Sequence, residues 1–292
     1  MTQRTLARII EGLPTSDGAG VRIRRSLGQS QGARLDPFLM LDEIGSDDAA
    51  DYMAGFPSHP HRGFETVTYM LEGRMRHRDH LGNEGLLEDG GLQWMSAGRG
   101  IIHSEMPEQS SGRMHGFQLW INLPAAEKMK DPAYEDIQAE RIPQVTLAAG
   151  ASVRVLAGEP ELDGRAVNGP VQGVSTRPLF LDVRLPQGVA LHQAVPAGHN
   201  AFFYVYQGAV RLPGGGANGG RVVRGQAGVL TDGDAIAMEA EADTGLLLLA
   251  ARPINEPVVQ YGPFVMNTRE EIEQAVLDYQ SGRLAGEARP SL

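Results

Sequence analysis

From Val21 to Ala251 the chain keeps returning to one device, an apolar run of four to eight residues closed by Gly or Pro. Such runs are Val21–Leu27, Phe64–Leu71, Gly91–Ser96, Ile101–Met106, Phe117–Leu123 and Val153–Ala157. A second set follows at Leu179–Leu185, Phe202–Gln207, Arg221–Arg224, Ala235–Glu239 and Gly245–Ala251. They are too short for most helices, and the 37 glycines and 18 prolines are scattered between them instead of forming a tract. Short strands joined by tight turns predict an all-β sandwich or barrel. Only Glu270–Tyr279 reads as a helix. Thr268 and Glu271 form a capping box at its start, and Ile272, Val276 and Tyr279 share one face.

A length of 292 residues suits two domains. The polar stretch Pro124–Val145 separates the two sets of runs and places the division near residue 145, giving units 1–145 and 146–292. The formal net charge of −10 argues against a fold-wide basic face, so direct nucleic-acid binding is not expected. The first 36 residues are locally arginine-rich and read as a solvated strand face. With no cysteine there is no disulfide frame, thiolate zinc site, iron–sulfur cluster or thiol nucleophile. The opening MTQRTLARII lacks the apolar core of a secretory signal, and the longest aliphatic run, Leu246–Ala251, is far too short to span a bilayer. A soluble, cytoplasmic protein is expected, with no membrane partner.

The informative chemistry lies in GFPSHPHRGFE, residues 55–65, and LQWMSAGRGIIHSEM, residues 92–106. Residues two apart on a strand face the same way. His59 and His61 therefore aim together, and so do His103 and Glu105. Glycines at 98 and 100 suit a sharp turn that delivers His103 inward. If the two strands are neighbours, three imidazoles and one carboxylate converge. That donor set suits a divalent first-row metal better than Ca²⁺ or Mg²⁺. It would leave positions open on a six-coordinate ion, as a catalytic site requires.

A lone H-x-H arises by chance on many strands; the second pair at matching parity is what strengthens the reading. Glu65, four residues beyond His61, shares the same face unless Gly63 breaks the parity. It is an alternative ligand, or an acceptor that orients a histidine. His77, His80, His115, His192 and His199 read as surface or satisfied core residues. Trp94 and Trp120 read as core first and substrate wall second. Arg62 and Arg99 read as rim cations.

The run Gly55–Gly73 resembles the first cupin motif, and Gly100-Ile-Ile-His103 resembles the second, with Gly98 where a proline is usual. HPHRGFETVTYMLEG, LQWMSAGRGIIHSEMP and YGPFVMNTREEIEQAVLDYQSG together closely resemble the pirin family, and VRIRRSLG and LDPFLMLDE agree with it. The resemblance implies a bicupin, two jelly-roll-like β-barrels packed together with a short C-terminal helix. It implies one metal in the N-terminal barrel, usually Fe(II), with Ni, Mn, Co or Zn as alternatives. By motif the ligands are His59, His61, His103 and Glu105, with Glu65 near the metal. Setting Gly208 opposite Gly73, an offset of 135, puts Ala194, Pro196 and Asn200 opposite His59, His61 and Glu65. The second barrel should therefore be metal-free.

Pirin-like proteins are associated with quercetin 2,3-dioxygenase activity, which opens a flavonol ring with O₂ and releases carbon monoxide. On that analogy the chain is a metal-dependent oxidoreductase, a quercetinase, with Glu65 or Glu105 as base for the flavonol hydroxyl. The alternative is a redox-responsive iron protein that binds partner proteins as a co-regulator without turnover. A closed zinc site that only stabilises ranks third, because a chain of this length has core enough without one. A monomer is the default.

Overall fold

A computed structural model describes residues 2–215 and 217–285 of the chain. Strands dominate, and the described residues form two cupin barrels and one α-helix. In one compact unit, a seven-stranded antiparallel sheet runs in the order Ala133–Ile137, Leu92–Ser96, Phe64–Glu72, Met114–Asn122, Phe38–Ser46, Val21–Arg25, Leu13–Asp17. Its four-stranded companion runs Phe56–His61, Ile101–Pro107, Met75–Asp79, Glu84–Leu87.

The other unit repeats this plan strand for strand. Its large sheet is Leu6–Glu11, Gln226–Leu230, Asn200–Gln207, Thr244–Ala251, Leu179–Leu185, Ser152–Ala157, Gln144–Thr146. Its small sheet is Ala190–Ala194, Ala235–Ala240, Ala209–Arg211, Arg221–Val223. Alternate residues such as Leu181, Val183, Phe203, Val205, Leu246 and Leu248 fill this barrel's core. Burying each such side chain contributes about 1.5–3 kcal/mol, which is why the pattern of period two dictates the sheet.

The division is not one cut near residue 145. One unit comprises residues 14–25, 38–139 and 254–292, the other 1–13, 26–37 and 140–253. Backbone pairing is the physical reason. Leu6–Glu11 lies antiparallel to Gln226–Leu230, with Ile9 opposite Gly228, and so closes the sheet of the 140–253 barrel. The polar stretch after Pro124 is not mere linker either. Ala133–Ile137 pairs with Leu92–Ser96 and occupies the corresponding edge of the other barrel.

The helix spans Arg269–Gln280 and carries the expected capping box, Thr268 accepting from the Glu271 N–H. Ile272 and Ala275 are its buried residues, with Val276 partly buried and Phe264 and Met266 in the same apolar cluster. Tyr279, expected on that face, is 41% exposed and touches only its margin, its ring 6.2 Å from that of Phe264. Among the described residues no helix is long and apolar enough to cross a membrane.

Candidate metal centre

Phe56–His61 and Ile101–Pro107 are neighbours in the small sheet, and His103 stands directly opposite His59. A shift of register between His103 and Glu105 puts Glu105 opposite Phe56. Gly98 and Gly100 both have positive φ in the turn before the strand. A Cβ at Gly98 would strike the Lys130 carbonyl and one at Gly100 the Leu284 carbonyl, so both positions need glycine.

The donor nitrogens of His59, His61 and His103 all lie within 4.8 Å of one another. Nε2 of His59 is 2.9 Å from Nε2 of His61, and the three ring centroids are 4.4–4.8 Å apart. His59 Nδ1 is 2.8 Å from the Pro57 carbonyl, an acceptor, so Nδ1 carries the proton and Nε2 presents its lone pair to the cluster. His103 Nε2 is buried with no hydrogen-bond partner. Burial, and then neighbouring imidazoles, hold His61 and His103 well below the usual histidine range, so both are neutral near pH 7. Three imidazoles crowded on one point, two of them kept neutral by burial and one with an orphaned ring nitrogen, fit a transition-metal ion. His61 and His103 are buried and His59 is partly exposed, which gives the cluster an open side.

Glu105 is 3% exposed but stands outside this set of three. Its Oε1 accepts from the Thr68 hydroxyl at 3.0 Å and its Oε2 from the Gln118 amide at 3.0 Å. Each oxygen keeps a lone pair, so these bonds aim the carboxylate without exhausting it. Glu65 also lies outside the set. It is 3% exposed, with Oε1 3.8 Å from the Lys130 ammonium. Burial pushes its carboxyl up to about 7 against the pull of that ammonium. In the unfolded chain the group releases its proton near 4.5, so stability falls as pH rises from there through about 7. Glu65→Gln is therefore expected to flatten this dependence. Denaturant midpoints of the metal-free protein at pH 5 and pH 8 should show the variant gaining up to about 3 kcal/mol at the higher pH. Parallel curves for both proteins would refute it.

His77, His80, His115, Arg62 and the tryptophans take definite places around the cluster and in the core. His77 is 1% exposed, with its Nε2 3.1 Å from His103 Nδ1 and its ring stacked on Tyr134 at 5.1 Å. A second imidazole thus holds the orientation of the first, as partners of metal-bound histidines do. The signal was present in Met75-Arg-His-Arg-Asp79, a strand whose inward positions are Met75 and His77. Arg62 is no rim cation. It is 4% exposed, donates to Asp278 at 2.8 Å and also bonds the Arg99 carbonyl. His115 is buried against Glu43 at 2.8 Å, and His80 is joined to the Ala285 carbonyl at 3.1 Å. Trp94 is core, whereas Trp120 packs its ring 5.4 Å from His61 and 4.4 Å from Phe64.

The turn after His61 is tied down from three sides. Lys128 is 1% exposed and donates to the Gly63 carbonyl at 2.7 Å, Asn122 Oδ1 at 2.6 Å and the Val265 carbonyl at 3.0 Å. Burial lowers this ammonium to about 8, opposed by Glu256 and Glu271. The Val265 N–H in turn donates to the Arg62 carbonyl at 3.0 Å. Sequence reading passed over Lys128 because a lone lysine in a polar stretch reads as solvated.

Two barrels of one strand order, one of them with a histidine cluster at its small sheet, define a bicupin with a candidate metal centre. Residues 20–121 match the profile of the pirin family and residues 180–285 that of the pirin C-terminal cupin domain. A pirin-like protein of Caulobacter vibrioides is 51% identical over 284 residues, covering 97% of this chain and all of that one. Human pirin is 41% identical, covering 92% and 89% of the two chains. A crystal structure of a quercetin 2,3-dioxygenase from Acinetobacter baumannii superposes with a TM-score of 0.87 at 32% identity, covering 98% of this chain and all of that one. The chain belongs to the pirin family.

Proposed function

We propose that this pirin is a metal-dependent dioxygenase of the quercetin 2,3-dioxygenase type, acting on a flavonol or a related hydroxylated aromatic with O₂. The observation that carries the reading is the convergence of three imidazoles on one partly open point. The likeness to a solved quercetin 2,3-dioxygenase over the whole chain supports it. His59, His61 and His103 hold the ion, and Glu105, aimed by Thr68 and Gln118, supplies the carboxylate as fourth donor. The proposed ion is Fe(II), following the resemblance to pirins, and Ni, Mn, Co or Zn would also suit nitrogen and carboxylate donors. When bound, the metal supplies the redox coupling between substrate electrons and dioxygen.

The protein's own part is binding and proton handling. A flavonol must lose its hydroxyl proton to become electron-rich, and a base must stand within hydrogen-bond reach of it. Glu65, at about 7, takes up and releases a proton near neutrality, and Glu105 is the second candidate. Phe64 and Trp120 form an aromatic wall beside His61 that suits a flat ring system and keeps water from the reacting face.

The test follows flavonol absorbance under O₂ with metal-free and Fe(II)-loaded protein, beside His61→Ala. Loss of absorbance is expected only with the loaded, unsubstituted chain. Full iron loading without turnover of any flavonol would overturn the enzymatic reading and favour a partner-binding role, in which the arginines of Val21–Arg25 are the candidate contact.

A further inference from the structure

The mouth of the 140–253 barrel opens on a cavity of about 1010 Å³, at the top of the roughly 300–1,000 Å³ common for small-molecule sites. Its position follows from the repeated topology. Ala190–Ala194 is the strand that corresponds to Phe56–His61 in the other small sheet, and Ala194, which ends it, lines the cavity together with Pro196 from the loop beyond. A methyl side chain at the strand end, where the other barrel has the imidazole of His61, leaves room at the barrel mouth.

The walls are apolar, basic and acidic in different parts. Val171, Pro178, Leu179 and Val195 give an apolar surface, while Arg177, Arg252 and His199 give a positive and hydrogen-bonding one. Arg177 and Arg252 are exposed, whereas His199 is half-buried and its Nδ1 has no hydrogen-bond partner among the described residues. Burial first, then the charges of Arg4, Arg177 and Arg252, hold that imidazole below its usual range. Three guanidinium groups thus act on one ring, and no carboxylate is among the charges that shift it. Glu159, Glu161 and Asp234 also line the cavity. Arg177 sits at φ 46°, in the left-handed region, which costs a non-glycine residue about 1–3 kcal/mol and is a mark of functional sites. Arg4 is buried beneath, donating to the Pro196 and Thr231 carbonyls at 3.1 Å each, and so braces the loop that carries Pro196.

We propose that this mouth is a second binding site, for a small organic anion whose apolar body lies on the valine, proline and leucine wall and whose acid group is held by Arg177, Arg252 and His199. An acid group fits because a guanidinium fork matches its two oxygens and a neutral imidazole can donate a further hydrogen bond. The site shares no residue with the histidine cluster, so it stands whether or not the first barrel turns over a flavonol.

Calorimetric titration of the full-length protein with 2-naphthoate, its neutral amide and 2-naphthylmethylamine tests it. One naphthoate per chain is expected, with the amide and the amine each weaker by roughly tenfold or more. Arg252→Gln, an exposed substitution, should weaken naphthoate by a similar factor, and His61→Ala should leave it unchanged. Equal binding of acid, amide and amine would overturn the proposal, and so would the absence of naphthoate binding at millimolar concentration. Loss of binding in His61→Ala with retention in Arg252→Gln would place the acid in the first barrel and equally refute it.

Discussion

His103→Ala is expected to be purified nearly free of metal, while His192→Ala carries as much as the unsubstituted chain. Both are single imidazole deletions, but they differ in place. His103 is buried, one of three rings whose nitrogens crowd one point, whereas His192 is exposed on the small sheet of the other barrel. Loss of a residue that merely orients a ligand costs roughly 10–100-fold in metal affinity, so loss of the ligand itself should cost at least the upper figure. Metal analysis after identical purification, followed by competition with a chelator of known affinity, measures the difference. Equal occupancy in the two variants would refute a single centre in the first barrel.

Lys128→Met is expected to be the most damaging substitution outside the core. The side chains are similar in length, so little volume is lost, but Gly63 O, Asn122 Oδ1 and Val265 O all lose their charged donor in a buried place. An acceptor left unpaired costs about 1–3 kcal/mol. Allowing for relaxation, a loss of roughly 3–5 kcal/mol in stability is expected, read as a lower denaturant midpoint with an unchanged slope. Metal affinity should fall with it, because the lysine grips the turn directly after His61. A change below about 1 kcal/mol would mean that water replaces the ammonium without penalty.

The barrels were legible because their inward positions are mostly aliphatic. Leu179–Leu185 coincides with its apolar run to the residue, and Phe64–Glu72 and Ile101–Pro107 extend theirs by a single residue. Strands whose inward residues are polar stayed hidden. Met75–Asp79 buries a histidine, and Ala133–Ile137 is an edge strand that buries only Ile137. The three histidines were legible because parity on a strand is a local property. The bracing was not: Lys128, Gly63 and Val265 meet only through long-range contacts that no spacing encodes. The exchange of terminal segments between units was likewise invisible, since pairing of Leu6–Glu11 with Gln226–Leu230 depends on the sheet's other strands.

That exchange shapes how the molecule is made. Leu6–Glu11 is synthesised more than two hundred positions ahead of its hydrogen-bonding mate. At elongation rates of about 5–20 residues per second the strand waits roughly 10–40 s with its edge unsatisfied. Arg8 within it and Arg4 just before it give the waiting segment charges that discourage sticking to other nascent chains.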